Sequence, residues 1–134
     1  IASDQVAATH NSSLLGKPET KARAVEQLTI SSAKQVDFYT GLAVRYQHPT
    51  RGLLSYSSVE ICKVHFRKLS QAQISYYLEQ EQPYDCAGSF KSEGLGISLF
   101  SRIEVDDPNT LVGLPLIRLS EFLRDIGIDV LSRR

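Results

Sequence analysis

The 134-residue sequence has no methionine, few cysteines and no excess of charge of either sign. Fifteen basic residues balance fifteen acidic ones, so the basic surface of a nucleic-acid-binding protein is not expected. No apolar run approaches the roughly 18 residues that a membrane span needs, and the N-terminus lacks the charged-then-apolar pattern of a signal peptide. These absences predict a protein that binds neither nucleic acid nor membrane.

Because methionine is absent, we expect that the chain does not begin where translation begins. It opens on Ile1 and continues to Ala8 in a pattern typical of the interior of a buried strand. We therefore expect a fragment of a longer protein. The composition is 42% hydrophobic and 22% charged, as in ordinary globular domains, and this length is enough for one domain with a real core.

The two cysteines, Cys62 and Cys86, are too few for a domain built on disulfides. We expect both to be free, buried and unreactive thiols in a cytoplasmic protein. His10, His48 and His65 stand apart from one another, and no Cys-x-x-Cys spacing occurs. A metal site built from histidine and cysteine is therefore not expected.

Hydrophobic periodicity and turn residues predict the order β-α-β-β-α-loop-β-β-α. Strands are expected at 1–8, 36–46, 53–66, 97–105 and 110–112, and helices at 20–31, at 70–80 and from Pro115 onward. The second and third strands form a long antiparallel hairpin around the turn at 47–52. The expected fold class is mixed α/β with antiparallel pairs, not a doubly wound parallel sheet.

Helix ends are marked by local signals. Ser70 and Gln73 have the spacing of a capping box. Gly127 is the expected residue after the last helix, where Leu123 can meet Ile128 in a Schellman-type end. The tail at 133–134 is expected to be frayed.

The strand expected at 53–66 changes its apolar phase along its length. Leu54 and Tyr56 share one phase, Val59 and Ile61 the other, and Cys62 returns to the first. Such a slip predicts a β-bulge or a strong bend within the strand.

Two residues near the N-terminus are candidates for chemistry. Asp4 ends an apolar stretch, where a carboxylate could bind a divalent cation or act as a general base, or simply cap a loop. Lys17 lies between Gly16 and Pro18, which suits a phosphate contact, although a solvated turn lysine is the alternative.

The irregular stretch at 82–96 is long for a small domain and therefore a candidate functional loop. Its glycines permit close backbone approach, but they match neither a dinucleotide fingerprint nor a Walker loop. Glu93 could read the edge of a base, or it could be an exposed loop acid. Further candidate contacts in this loop are Ser89, Lys91 and Ser92. Asp106 and Asp107 precede Pro-Asn and indicate a turn more than a metal pair.

Several segments together resemble the Maf family of nucleoside triphosphate pyrophosphatases. The longest are 82–100 and 107–117, and 3–6, 16–18 and 38–43 fit in the same order. The resemblance covers nearly the whole chain. Asp4-Gln5 and Ser92-Glu93-Gly94 resemble the 7-methyl-GTP pyrophosphatase branch. In the dTTP/UTP branch, Asp-Thr replaces the first pair and glutamine replaces Glu93.

The resemblance implies a Maf/ITPase-like, elongated two-lobed α/β fold with a central cleft, formed here by residues 1–134 as a single domain. Family members begin with a strand and an arginine-containing phosphate loop, which would lie upstream of Ile1. We therefore expect this chain to lack both and to be inactive on its own.

The resemblance also implies roles for individual residues. Asp4 would be the catalytic proton acceptor or a metal ligand, Lys17 would bind phosphates, and Gln5 and Glu93 would set specificity. The implied cofactor is a divalent cation (Mg, Mn or Co), the substrate is a nucleoside triphosphate, and a homodimer is suggested. Two alternatives are a septum-formation inhibitor that acts by binding protein and an inactive nucleotide-binding fragment.

Overall fold

The computed structural model describes residues 1–132, so that Arg133 and Arg134, expected to be frayed, lie outside the described residues. The strands and helices, in chain order, are β1 (Ala2–Thr9), β2 (Leu14–Leu15), α1 (Lys21–Ser31), β3 (Gln35–His48), β4 (Gly52–Phe66), α2 (Gln71–Glu81), β5 (Phe100–Glu104), α3 (Asn109–Val112) and α4 (Leu116–Asp125). The strands form one five-stranded sheet in the order β2-β1-β3-β4-β5, with every neighbouring pair antiparallel. The predicted mixed α/β class is confirmed.

The long hairpin of β3 and β4 forms the centre of the sheet. Its register is unbroken from Gln35 opposite His65 to His48 opposite Gly52. At the turn, the amides of Thr50 and Arg51 both donate to Nδ1 of His48 at 3.1 Å. Gly52 has φ +75°, a left-handed conformation that favours glycine. The turn predicted at 47–52 is therefore confirmed.

The β-bulge predicted where the apolar phase of β4 changes is not found there, whereas the strong bend given as its alternative stays a prediction. Against β3 the register runs straight through Val59 and Ile61, whose side chains are 62% and 47% exposed on the face opposite the core. The apparent change of phase arises because the core-facing residues of this stretch, Ser58 and Glu60, are polar, whereas the exposed face carries the apolar Val59 and Ile61. A register shift does occur, but at His65/Phe66 and only against β5.

Two further strand predictions are corrected. Residues 110–112, expected as a strand, belong to helix α3, whose first turn is closed by a bond from the amide of Thr110 to the carbonyl of Asp107. The strand expected from 97 begins only at Phe100, because Leu95–Leu99 form a 3₁₀ helix. The short β2 was not predicted, since two residues are too few to show alternation.

The predicted helix ends are confirmed. Ser70 and Gln73 form both bonds of the capping box on α2. After α4, the amide of Ile128 donates to the carbonyl of Leu123 at 2.8 Å, and Gly127 has φ +91°. These are the features of a Schellman end. Pro115, expected as the first helical residue, is the N-cap, one position earlier.

The sheet packs two hydrophobic clusters that meet at a polar row. The first, here called the large core, is formed by Ala7, Leu15, Ala24, Leu28, Val36, Phe38, Cys62, Val64, Phe66, Leu69, Ile74, Tyr77, Leu78, Phe90, Leu99 and Leu111. The second, here called the small core, is formed by Leu42, Val44 and Leu119 with the half-buried Tyr56, Leu114, Phe122 and Leu123. The β-sheet register places Gln5, Thr40 and Glu60 side by side between them.

Both cysteines are free thiols, as predicted; Cys62 is buried and Cys86 half-buried. Burial is the main cause that raises the pKa of each thiol to about 11, and such thiols react slowly at neutral pH. Among the described residues, no helix combines the length and apolar character required to cross a bilayer.

Candidate active site

A cavity of about 220 Å³ collects most of the predicted site residues. It lies between the first half of β1, the loop that holds Lys17, the irregular loop after α2, and α3. Its lining includes Asp4, Gln5, Lys17, Lys91, Ser92 and Glu93. Larger cavities of about 420 and 570 Å³ are lined by none of these six residues, and one of about 360 Å³ shares only Asp4 with this cavity.

Asp4 stands on a strand with an uncovered edge. Among residues 1–132, β1 pairs with β2 only at Ala7 and Ala8, whereas it pairs with β3 along its whole length. The Asp4 side chain is exposed, and its Oδ1 accepts a bond of 2.8 Å from the amide of Gln5. A carboxylate in this position can accept a proton from water or bind a cation.

The Gln5 side chain lies on the core face of β1, and its side-chain amide is hydrogen-bonded within the protein. Its Nε2 donates to Oγ1 of Thr40 at 3.0 Å and to the carbonyl of Thr110 at 3.1 Å. The Thr40 hydroxyl donates to the same carbonyl at 3.1 Å and is fully buried. Gln5 therefore fastens α3 to the sheet and holds one wall of the cavity.

Asp85, a carboxylate that sequence reasoning did not single out, pairs with Lys91 and also feels the charge of Lys17. Nζ of Lys91 lies 3.9 Å from Oδ1 of Asp85. The hydrogen bond from the Cys86 thiol, together with the charges of Lys91 and Lys17, holds the pKa of Asp85 below its usual range. Lys17 and Lys91 both line this cavity, where an anion could replace Asp85 as the partner of the lysines.

The residues 88–96, here called the glycine loop, place Glu93 at the cavity. Glu93 is exposed, and the Ser92 hydroxyl donates to its Oε2 at 3.1 Å. Ser89 is placed differently from the expectation. It is fully buried, lies outside the cavity lining, and donates to Oε1 of Gln27 at 2.5 Å.

Asp107 stands in a turn, as expected, and its carboxylate accepts bonds from backbone amides. Its Oδ1 accepts from the amide of Asn109, and its Oδ2 accepts from the amide of Ile117, each at 2.8 Å. Burial alone would raise the pKa of Asp107, but these hydrogen bonds outweigh it and hold the pKa below its usual value. This carboxylate joins the starts of α3 and α4.

The residues at the cavity are compatible with a divalent cation that is bound mainly by its substrate. Across residues 1–132, no cluster of three or more His, Cys, Asp or Glu forms a complete cage. Mg²⁺ usually takes only one or two carboxylates and completes its shell with water and phosphate oxygens. The exposed carboxylate of Asp4 fits that requirement.

The match to known proteins covers all the residues that line this cavity. A family model described as "Maf-like protein" matches residues 1–126. The chain therefore belongs to the Maf-like family.

Its relatives include proteins named 7-methyl-GTP pyrophosphatase. The one from Pseudoalteromonas translucida is 52% identical over 132 residues, which are 98% of this chain and 63% of the relative. The one from Colwellia psychrerythraea is 53% identical over 134 residues, 100% of this chain and 65% of the relative. The one from Vibrio vulnificus is 53% identical over 132 residues, 98% and 66% respectively. The chain thus spans just under two thirds of the length of these relatives.

Proposed function

We propose that the protein is a nucleoside triphosphate pyrophosphatase that prefers 7-methyl-GTP and removes this modified nucleotide from the cytoplasmic pool. The observation that carries the proposal is the meeting of Asp4, Lys17 and Glu93 at one cavity, although 89 positions separate the first from the last. The relatives bearing the 7-methyl-GTP pyrophosphatase name support the same substrate. Because all strands within residues 1–132 belong to one sheet, we also propose that residues 1–134 form one Maf-like domain.

In the proposed reaction, water attacks the α-phosphorus, the bond to the bridging oxygen breaks, and the products are the monophosphate and pyrophosphate. Asp4 accepts the proton of the attacking water or binds the cation. Lys17 and Lys91 neutralise charge on the phosphates, which favours a transition state with more charge on its oxygens. A divalent cation (Mg, Mn or Co) held by Asp4 and the phosphates would supply further charge neutralisation.

Glu93 has the chemistry to select the methylated base. A 7-methylated guanine carries positive charge on its ring, and its N1–H and amino group are hydrogen-bond donors. A carboxylate can accept from both and is also attracted by the charge. Glutamine at the same position could still accept one bond, but it would lose the charge term. Glu93 is exposed at the cavity, so it is available to a ligand.

The first experiment measures pyrophosphate release from 7-methyl-GTP, GTP and UTP with Mg²⁺ or Mn²⁺. This chain is assayed beside a version lengthened to the size of its relatives. We expect the longer form to prefer 7-methyl-GTP. Asp4→Asn should lower its turnover by about 10²- to 10⁴-fold, the usual contribution of a general base, whereas Asp125→Asn at the exposed end of α4 should leave turnover unchanged. If neither form hydrolyses any nucleotide, the enzyme proposal fails, and binding to a division partner becomes the hypothesis to test.

The same assay tests base selection. Glu93→Gln should lower the ratio of kcat/KM for 7-methyl-GTP to that for GTP by about tenfold, the scale of one lost charge-assisted interaction. Turnover of GTP itself should change little. An unchanged ratio would show that Glu93 does not read the base.

A further inference from the structure

Two side chains on the last turns of α2 hold the backbone on both sides of Glu93. The amide of Lys91 donates to the phenolic oxygen of Tyr77 at 2.9 Å. The amide of Leu95 donates to Oε1 of Glu81 at 2.5 Å. Residues four apart lie one above the other on a helix, so Tyr77 and Glu81 present two neighbouring acceptors. The two bonds bracket the stretch 92–94 that contains Glu93.

The glycine loop is closely packed at two glycines, Gly94 against the Glu81 side chain of α2 and Gly96 mainly against the loop's own backbone. A Cβ on Gly94 would lie 2.2 Å from Oε1 of Glu81. A Cβ on Gly96 would lie 2.0 Å from the carbonyl oxygen of Lys91 and 3.1 Å from the Tyr77 hydroxyl. Glycine is the residue that allows such an approach. A larger residue at Gly94 would therefore have to displace the Glu81 carboxylate, and one at Gly96 would collide with the carbonyl of Lys91.

Tyr77 is suited to act as a permanent anchor. It is 3% exposed and belongs to the large core. Burial raises its pKa to about 12, against the opposing effect of the Lys91 amide. The phenol therefore stays neutral across the physiological range, and its bond to the loop does not switch with pH. Glu81 is half-buried, and neither Glu81 nor Tyr77 lines the cavity.

We propose that Tyr77 and Glu81 are positioning residues for base selection. They hold the amides of Lys91 and Leu95 and thereby fix where the Glu93 carboxylate stands relative to the cavity. The inference rests on the proposed function, since it requires that Glu93 contacts the nucleotide base. It differs from a purely stabilising role because it predicts a change in discrimination between two substrates, which lower stability alone would not cause.

The test uses variants that remove each acceptor, with matched controls on the same helix. Tyr77→Phe deletes the phenolic oxygen, and Glu81→Ala deletes the carboxylate, whereas Glu81→Gln keeps an acceptor oxygen. The controls are Tyr76→Phe and Glu79→Ala, the same changes at positions where the side chains are exposed, 63% for Tyr76 and 57% for Glu79. The readout is the ratio of kcat/KM for 7-methyl-GTP to that for GTP, with the thermal midpoint measured in parallel.

Tyr77→Phe and Glu81→Ala should each lower the ratio by about threefold to tenfold, the effect of losing one hydrogen bond that orients a charged group. Glu81→Gln should restore most of it, and both controls should leave it unchanged. An unchanged ratio in Tyr77→Phe and Glu81→Ala would overturn the proposal, whatever happens to the midpoint. A loss in Glu81→Gln as large as in Glu81→Ala would also overturn it, because Glu81 would then act through its charge.

Failure of the proposed function would be visible separately, as absence of turnover by the unaltered protein. In that case equilibrium binding of 7-methyl-GTP and GTP, measured without divalent metal, replaces the kinetic ratio. Preferential binding of 7-methyl-GTP that is weakened in Tyr77→Phe but not in Tyr76→Phe would support the inference. Binding without any preference, or no binding, would overturn it together with the role of Glu93.

Discussion

The large core and the small core lie along the same two strands but support different tasks. In the large core, Phe90 packs edge-to-face against Phe38, Phe66 and Phe100, with ring centroids 4.9–5.7 Å apart. In the small core, Phe122 of α4 meets Tyr56 at 5.4 Å in a tilted arrangement and is only half-buried. Phe90 also lines the candidate active site, and Phe122 does not. We therefore expect a change in the large core to affect both stability and the candidate site, and a change in the small core to affect stability alone.

The polar row between the cores explains this division. Gln5 and Thr40 bind α3 at one side of the row, and Glu60 accepts from Nε of Arg118 on α4 at 2.5 Å at the other. A polar row inside a sheet is tolerated when its groups are hydrogen-bonded. Here the polar row divides the apolar face of the sheet into the large core and the small core. Its hydrogen bonds also hold α3 at the cavity wall.

The largest effect is expected from Phe90→Ala. Removing this buried ring should lower the free energy of unfolding by about 3–5 kcal/mol, because it leaves a cavity in a well-packed cluster. The glycine loop should lose its fixed place at the same time, so nucleotide turnover should fall. Urea unfolding and the pyrophosphate assay measure both. Phe90→Leu, which keeps most of the apolar volume, should cost less than about 1.5 kcal/mol. Full turnover in a destabilised Phe90→Ala protein would show that stability and the candidate site are not coupled in the large core.

Phe122→Ala is the matched change in the small core. The ring is half-buried, so the expected loss is about 1–2 kcal/mol, smaller than for a fully buried aromatic. Turnover and nucleotide binding should remain at the level of the unaltered protein when measured well below the thermal midpoint. A loss of turnover equal to that of Phe90→Ala would show that the two cores act as one unit.

A comparable effect, and the most pH-dependent one, is expected at Asp107, whose carboxylate receives amide bonds from α3 and α4. Asp107→Asn should cost about 1–2 kcal/mol at neutral pH, since charge-assisted bonds are lost. Because its pKa is lower in the folded protein, the stabilisation is present above the unfolded value of about 3.9 and disappears as pH falls through the folded value. Urea unfolding at pH 7 and at pH 3 measures this difference. Asp106→Asn serves as the exposed control. A difference that persists undiminished at pH 3 would contradict the assignment.

Most of the fold could be predicted from local signals, and each error has an identifiable physical cause. The β3–β4 hairpin shows a clear period of two, and even the gap in its apolar pattern at Thr40 marks the polar row. Val59 and Ile61 led to the prediction of a bulge in β4, because apolar residues on the exposed face resemble a change of register. Helix α3 was assigned to a strand because four residues are too short to show a helical period.

The candidate site was predictable only in part. Motif resemblance singled out Asp4, Lys17 and Glu93, and all three line one cavity. Resemblance did not indicate Asp85 beside Lys91, or the place of Ser89 against Gln27. Those contacts depend on how the loop after α2 folds back, and no spacing rule in the chain describes that path.

The sequence by itself determined the mixed α/β class, the long hairpin, the capping box at Ser70 and the Schellman end at Gly127. Each of these depends on residues close together in the chain, whose hydrogen bonds form within one turn or one strand pair. Only the tertiary structure decided that Tyr77 and Glu81 hold the glycine loop and that Gln5 fastens α3. These contacts join residues between 14 and 106 positions apart on surfaces that exist only after the sheet and helices have packed.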